Sequence, residues 1–100
     1  MIKHLVMFKL KENAEGATKI ENALKLVSKL EDLKEHIPEI VQMEAGCNCN
    51  PSDAAYDVAL YSSFVNREEL EKYRIHPEHV KVAAFIGNVA EDRAVVDYEV

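Results

Sequence analysis

The segment Tyr73-Arg74-Ile75-His76-Pro77-Glu78-His79 packs a phenol, two imidazoles, a guanidinium and a carboxylate into one short stretch. Pro77 disfavours helix for the residue before it and suits the first position of the next helix. The chain therefore breaks between two helical pieces there, leaving the first amides of the second piece free. Functional residues gather at such breaks. Tyr73 and His79 flank it. Converging on one pocket, they would supply a hydrogen-bond donor and a general base near neutral pH. Each also has a structural use. Tyr73 stands at core spacing from Leu70, His76 can cap the second piece, and His79 can be a buried, hydrogen-bonded histidine.

His4 is a polar residue on the otherwise apolar face of Ile2, Val6, Phe8 and Leu10. A lone histidine in that place is a satisfied core residue or, under the helices, a polar floor meeting His79 across a helix–sheet pocket. His36 sits at a helix end, where a cation is favoured by the dipole, and reads as surface. His76 and His79 share a helical face only if both lie inside the helix, and no matching carboxylate accompanies them. No metal site is therefore expected. Neither a phosphate-cradling glycine loop nor a serine elbow is present, so no cofactor is expected either. Cys47 and Cys49 are two apart, without the spacer of zinc knuckles or thioredoxin-like motifs. They read as small apolar side chains, buried or half-buried.

These groups must be held by elements that the periodicity defines. Residues 2–10 alternate as a strand, with Lys3, Leu5, Met7 and Lys9 on a mixed second face. Asn13 to Gly16 is a turn. Ile20, Ala23, Leu24, Val27, Leu30 and Leu33 recur at helical spacing, giving an amphipathic helix that stops near His36, before Pro38. Residues 40–49 and 55–64 read as strands around the turn Asn50-Pro51-Ser52-Asp53. Asn66 fits a helix N-cap with Glu69 as reciprocal partner. After Pro77, an inner stripe of Val80, Ala83 and Ala84 runs to Gly87-Asn88, which ends the helix. Residues 93–99 form a last strand.

The order strand, helix, strand, strand, helix, strand predicts one α+β domain over residues 1–100. It is the split βαβ arrangement, a four-stranded antiparallel sheet with both helices on one face. The other face would carry Leu5, Met7, Ala59, Tyr61 and Val95 among Asp57, Gln42 and Glu44. That face is too apolar for water and too polar for a dry core. Pairing two such sheets solves this, so a homodimer is expected. Size points the same way, since a chain of 100 residues buries only roughly 60–70% of its unfolded surface.

Apolar residues are 48% of the chain and the net charge is −6. Such acidity argues against a nucleic-acid partner. No apolar run is long enough for a membrane span, and the first residues lack a secretory pattern, so a reducing cytoplasm is the expected setting.

Ile2-Lys3-His4-Leu5-Val6, the Tyr73-x-x-His76-Pro77-x-His79 segment and Val96-Asp97-Tyr98-Glu99 together resemble the stress-responsive A/B barrel (Dabb) domain family, over nearly the whole chain. The resemblance implies a ferredoxin-like fold and a homodimer whose two sheets close into a barrel. One enzymatic relative is the plant polyketide cyclase that makes olivetolic acid. By that resemblance, catalytic roles in an aldol condensation fall on Tyr73 and His79, and His4 matches a pocket histidine. The implied ligand-binding set is His4, Val6, Leu24, Val27, Val58 and His76. Val58 replaces a second pocket histidine of the cyclase, and Leu24 and Val27 replace bulky aromatics. Shared polar groups in an altered lining suggest a related cavity for another ligand. Three uses remain open: a dimeric binder of a small hydrophobic or aromatic molecule, a cofactor-independent enzyme of cyclase type, and a structural stress protein without ligand.

Overall fold

In a computed structural model describing all 100 residues, Ile2–Leu10 forms strand β1, and Ile2, His4, Val6, Phe8 and Leu10 all point into the core. A two-residue-strand hairpin follows, β2 (Asn13–Ala14) and β3 (Ala17–Thr18). Its turn residues Glu15 and Gly16 both have positive φ (54° and 69°), the backbone of a tight primed turn. Helix α1 spans Lys19–His36. Thr18 and Glu21 cap it reciprocally, a capping box that satisfies two orphan amides.

Strands β4 (Gln42–Cys47) and β5 (Val58–Phe64), helices α2 (Arg67–Ile75) and α3 (Pro77–Val89), and strand β6 (Ala90–Glu99) complete the chain. The main sheet is antiparallel in the order β4-β5-β1-β6. The βαββαβ order and the ferredoxin-like α+β fold therefore stand as expected, with the helices on one face of the sheet. Pro77 opens α3, and Asn66 caps α2 by accepting from the Glu69 amide at 2.9 Å. Glu69 does not reciprocate. Its carboxylate takes Lys72 instead, at 3.1 Å.

Several local expectations need correction. Along α1 the buried seam is Asn22, Ala23, Leu26, Leu30 and Leu33, whereas Ile20 and Leu24 are 73% and 61% exposed. The apolar stripe is wider than the contact, and the sheet takes only one flank of it. In α3 the inward residues are Val82, Ile86 and Val89, not Val80, Ala83 and Ala84. Gly87-Asn88 does not end that helix. It runs to Val89 and passes directly into β6, which begins at Ala90 and not at residue 93. Strands β4 and β5 are shorter than read, because the Asn48–Asp57 segment folds on its own turns, with Asn48 bracketing Asn50 through both of its amide atoms.

Cys47 and Cys49 are exposed, not half-buried. Asp57 does not face outward from the sheet. Its carboxylate accepts from the Leu10 amide at 2.7 Å, holding the end of β1. Val95 also changes face. Register pairs it with Val6 on the helix side, so Val96 and Tyr98 join Leu5, Met7, Ala59 and Tyr61 on the open face.

Leu26 is fully buried between α1 and the sheet. Leu26→Ala should lower stability by about 2–5 kcal/mol, through lost transfer energy and the cavity left behind. Urea unfolding followed by circular dichroism measures this directly.

Candidate functional site

Tyr73 projects from the last turn of α2 into the core and is 1% exposed. Its ring centroid lies 5.0 Å from Phe64, 4.4 Å from His79 and 6.1 Å from His4. The three residues singled out by type thus meet in one place. They border a cleft of about 460 Å³ between β1, β6, α2 and α3, walled by Val6, Phe8, Leu60, Ile86 and Val95. A volume of that order suits a small molecule.

The hydrogen bonds fix each polar group's role. His79 Nδ1 lies 2.9 Å from the Arg74 carbonyl oxygen. A carbonyl only accepts, so Nδ1 carries the proton and the Nε2 lone pair of the neutral ring is free. Burial pushes the His79 pKa down, outweighing the Arg74 carbonyl bond that raises it, and nearby positive charge lowers it further. At neutral pH the group is a neutral imidazole with an open base position. Tyr73 is the reverse case. Burial raises its phenol pKa above the usual range, so it remains an O–H donor. Its hydroxyl has no partner within the chain and is not sealed from the cleft.

His4 Nδ1 bonds the Asp97 carboxylate across the β1–β6 pair. The carboxylate accepts, so Nδ1–H points to Asp97 and orients the ring. Ser62 Oγ donates to the His4 carbonyl at 3.1 Å, anchoring the same residue from β5.

Other members of the expected set lie elsewhere. His76 is not at the cleft. Its Nδ1 accepts from the Glu78 amide at 3.1 Å and caps α3. Leu24 faces solvent, Val27 packs half-buried against the core, and Val58 is buried opposite Phe8 but outside the cleft's lining. Val6 lines the cleft. Sequence reading missed Asp97, Arg74 and Arg93. Arg93 and Asp97 share a face with Val95 by simple alternation, but only the register with Phe8, Val6 and His4 shows which face that is. A second, larger concavity of about 770 Å³ is lined by Leu5, Met7, Ala59 and Tyr61 of the open face with Ala55 and Tyr56 of the adjoining loop. It holds none of the aromatic and imidazole cluster.

The match to known proteins runs the length of the chain. The model of the stress responsive A/B barrel domain fits residues 2–100. The chain belongs to that family. The Arabidopsis thaliana stress-response A/B barrel domain-containing protein DABB1 is 26% identical over 103 residues, covering 98% of this chain and 46% of that protein. The chain thus spans about half the length of this curated relative. A dimeric protein of unknown function with a ferredoxin-like fold from Bacteroides fragilis NCTC 9343 is 35% identical, with a TM-score of 0.82 over 99% of this chain and 95% of that one. The hydroxynitrile lyase of Passiflora edulis shares the fold at 16% identity and a TM-score of 0.82, over 99% of this chain and 92% of its own. No helix is long and apolar enough to cross a membrane.

The depressed pKa of His79 has a sign in pH-dependent stability. Its neutral form is favoured in the folded state, so the contribution is complete above the unfolded value of roughly 6.5 and is lost as pH falls toward the folded value. His79→Gln should flatten that part of the stability–pH curve. NMR titration of the ring protons should place the His79 midpoint below roughly 6.5, the value of an unperturbed imidazole. A midpoint at or above that value would contradict the assignment.

Proposed function

We propose that this Dabb-family chain works as a homodimer and binds a small, mainly apolar or aromatic molecule in the cleft bordered by His4, Tyr73 and His79. One observation carries the reading. Three polar positions at an apolar cleft, the Tyr73 hydroxyl and the Nε2 atoms of His4 and His79, have no hydrogen-bond partner within the chain. None of the three is sealed within the core, so each is open to a partner that enters the cleft. A ligand with one or two oxygen atoms would complete all three while its body covers the Val6, Phe8 and Ile86 walls.

The protonation states favour a second, enzymatic use of the same site. His79 offers an open lone pair and Tyr73 keeps its proton, so one can abstract a proton while the other donates to the oxyanion that develops. This division suits an aldol-type cyclisation or a related proton-transfer reaction that needs no cofactor. The lyase relative supports the idea that the fold accommodates catalysis, without indicating a substrate for this chain.

The homodimer rests on the open sheet face. Met7 is 46% and Val96 60% exposed there, with Leu5, Tyr61 and Tyr98 alongside. Lys3 Nζ donates to the Tyr61 hydroxyl at 2.8 Å, so one of its polar edges is already satisfied. Pairing two such faces would remove this apolar surface from water. The relative from Bacteroides fragilis is dimeric, which supports the same reading.

Two measurements test these points. A matching aromatic ligand at a hundredfold excess over its Kd should stabilise the fold by about 2.7 kcal/mol, seen as a rise in Tm. His79→Ala should weaken that binding and, if the chain is a catalyst, cut turnover about 10²–10⁴-fold. No Tm shift across a broad aromatic library would defeat the binding reading. Separately, Met7→Glu with Val96→Glu should give a monomer by light scattering while the circular dichroism spectrum is retained. A wild type that is monomeric at micromolar concentration would defeat the dimer.

A further inference from the structure

Register on β6 places Arg93 opposite Phe8, on the helix-covered face of the sheet. A cation there stands where the next residues along the face, Val95 and its partner Val6, are apolar. The chain has three arginines. Arg67 pairs with Glu99 at 3.4 Å, and Arg74 Nε lies 3.9 Å from Glu71, but Arg93 forms no ion pair. Arg93 and Arg74 border the cleft from different elements, one from β6 and one from the end of α2. No acidic residue lines it, and of the carboxylates nearby Asp97 is engaged by His4, Glu71 by Arg74, and Asp92 by Tyr56 and the Arg93 amide.

The cleft's lining therefore holds two guanidinium groups and no carboxylate, in a chain whose net charge is −6. A charge on an edge strand also discourages edge-to-edge pairing, and Arg93 is exposed. That role explains a charge on β6. It does not explain convergence with a second arginine and two open imidazole nitrogens on an apolar pocket. An unpaired guanidinium beside apolar walls is suited to a planar, two-oxygen anion, because its donor fork matches a carboxylate in bidentate fashion. A phosphate fits less well. The exposed amides at the start of α3 are partly used, Glu78 N by His76, and the Glu78 carboxylate stands at that same helix end.

We infer that the cleft's ligand is a carboxylic acid, a carboxylate borne on an aromatic or branched apolar body, with Arg93 binding the carboxylate and the Val6, Phe8 and Ile86 walls holding the body. This rests on the cleft being a ligand site, as proposed above, and adds the charge class of the ligand and a specificity residue that the Tyr-x-x-His-Pro-x-His segment does not contain.

A matched pair of probes separates the two ideas. Isothermal titration calorimetry of the wild-type protein at pH 7.5 compares 2-naphthoate with 2-naphthamide, which have nearly the same shape and differ in charge. The acid should bind at least tenfold more tightly, and its advantage should shrink as salt is raised. Arg93→Gln should bring the ratio of the two affinities below threefold, and Arg93→Lys should restore part of it, with circular dichroism confirming the fold of each variant. If acid and amide bind the wild type equally, the anion inference is overturned and the pocket stands. A preference that persists in Arg93→Gln overturns the assignment to Arg93. If neither probe binds, the pocket reading falls and this inference with it.

Discussion

Strand β1 is hydrogen-bonded along both edges, to β5 on one side and β6 on the other. Its alternate side chains build the floor on which the helices rest. Because β1 comes first and β6 last, their antiparallel pairing also ties the chain ends together, with Met1 and Val100 bonded across the sheet. His4 acquires its Asp97 partner by the same pairing. If the register slipped by one residue, every side chain of β6 would change face. Asp97 would leave His4, Arg93 would leave the cleft, and Val96 would enter it. The chemistry of the site thus depends on a pairing that core packing enforces, since Ile2, Val6, Phe8 and Leu10 must all stay buried.

On that floor, the break between α2 and α3 does the rest. Pro77 ends one helix and starts the next, and His76 is consumed as the cap that makes the restart favourable. The restart turns His79 back toward the end of α2, where the Arg74 carbonyl accepts a hydrogen bond from its Nδ1–H. Two residues that flank a kink become neighbours at 4.4 Å. Burial then acts on them in opposite ways. It disfavours the imidazolium of His79 and the phenolate of Tyr73, leaving both neutral, one with a lone pair and one with a proton. An apolar pocket thereby sets up an acid and a base without a buried charge on either.

The two faces of the sheet divide the remaining work. The helix side holds the cleft, and the open side holds the surface proposed to pair with a second copy. Ser63 illustrates how closely they are joined. It is 1% exposed and its hydroxyl has no partner in the chain, while its neighbour Ser62 donates to the His4 backbone on the other face. Substitutions in β5 meant to alter one face therefore risk moving the other.

Local chemistry was readable along the chain. Alternation located β1, helical spacing located α1, and Pro77 and Asn66 marked the helix boundaries, because each depends only on near neighbours. The candidate triad of His4, Tyr73 and His79 was legible as residue types out of place in their local pattern. Where the reading failed, the deciding contact was distant in sequence. Val95 and Val96 are equally apolar, and only pairing with β1 says which one faces the helices. Leu24 and Leu26 both fit an amphipathic helix, and only the position of the sheet chooses between them. Val58 and His76 belonged to the expected lining until the fold separated them from it. The sequence by itself determined the order of elements, their caps and a short set of reactive groups. The tertiary structure decided which face each side chain occupies, and so gave His4 its aspartate and the cleft its two arginines, because periodicity specifies alternation and only long-range pairing specifies direction.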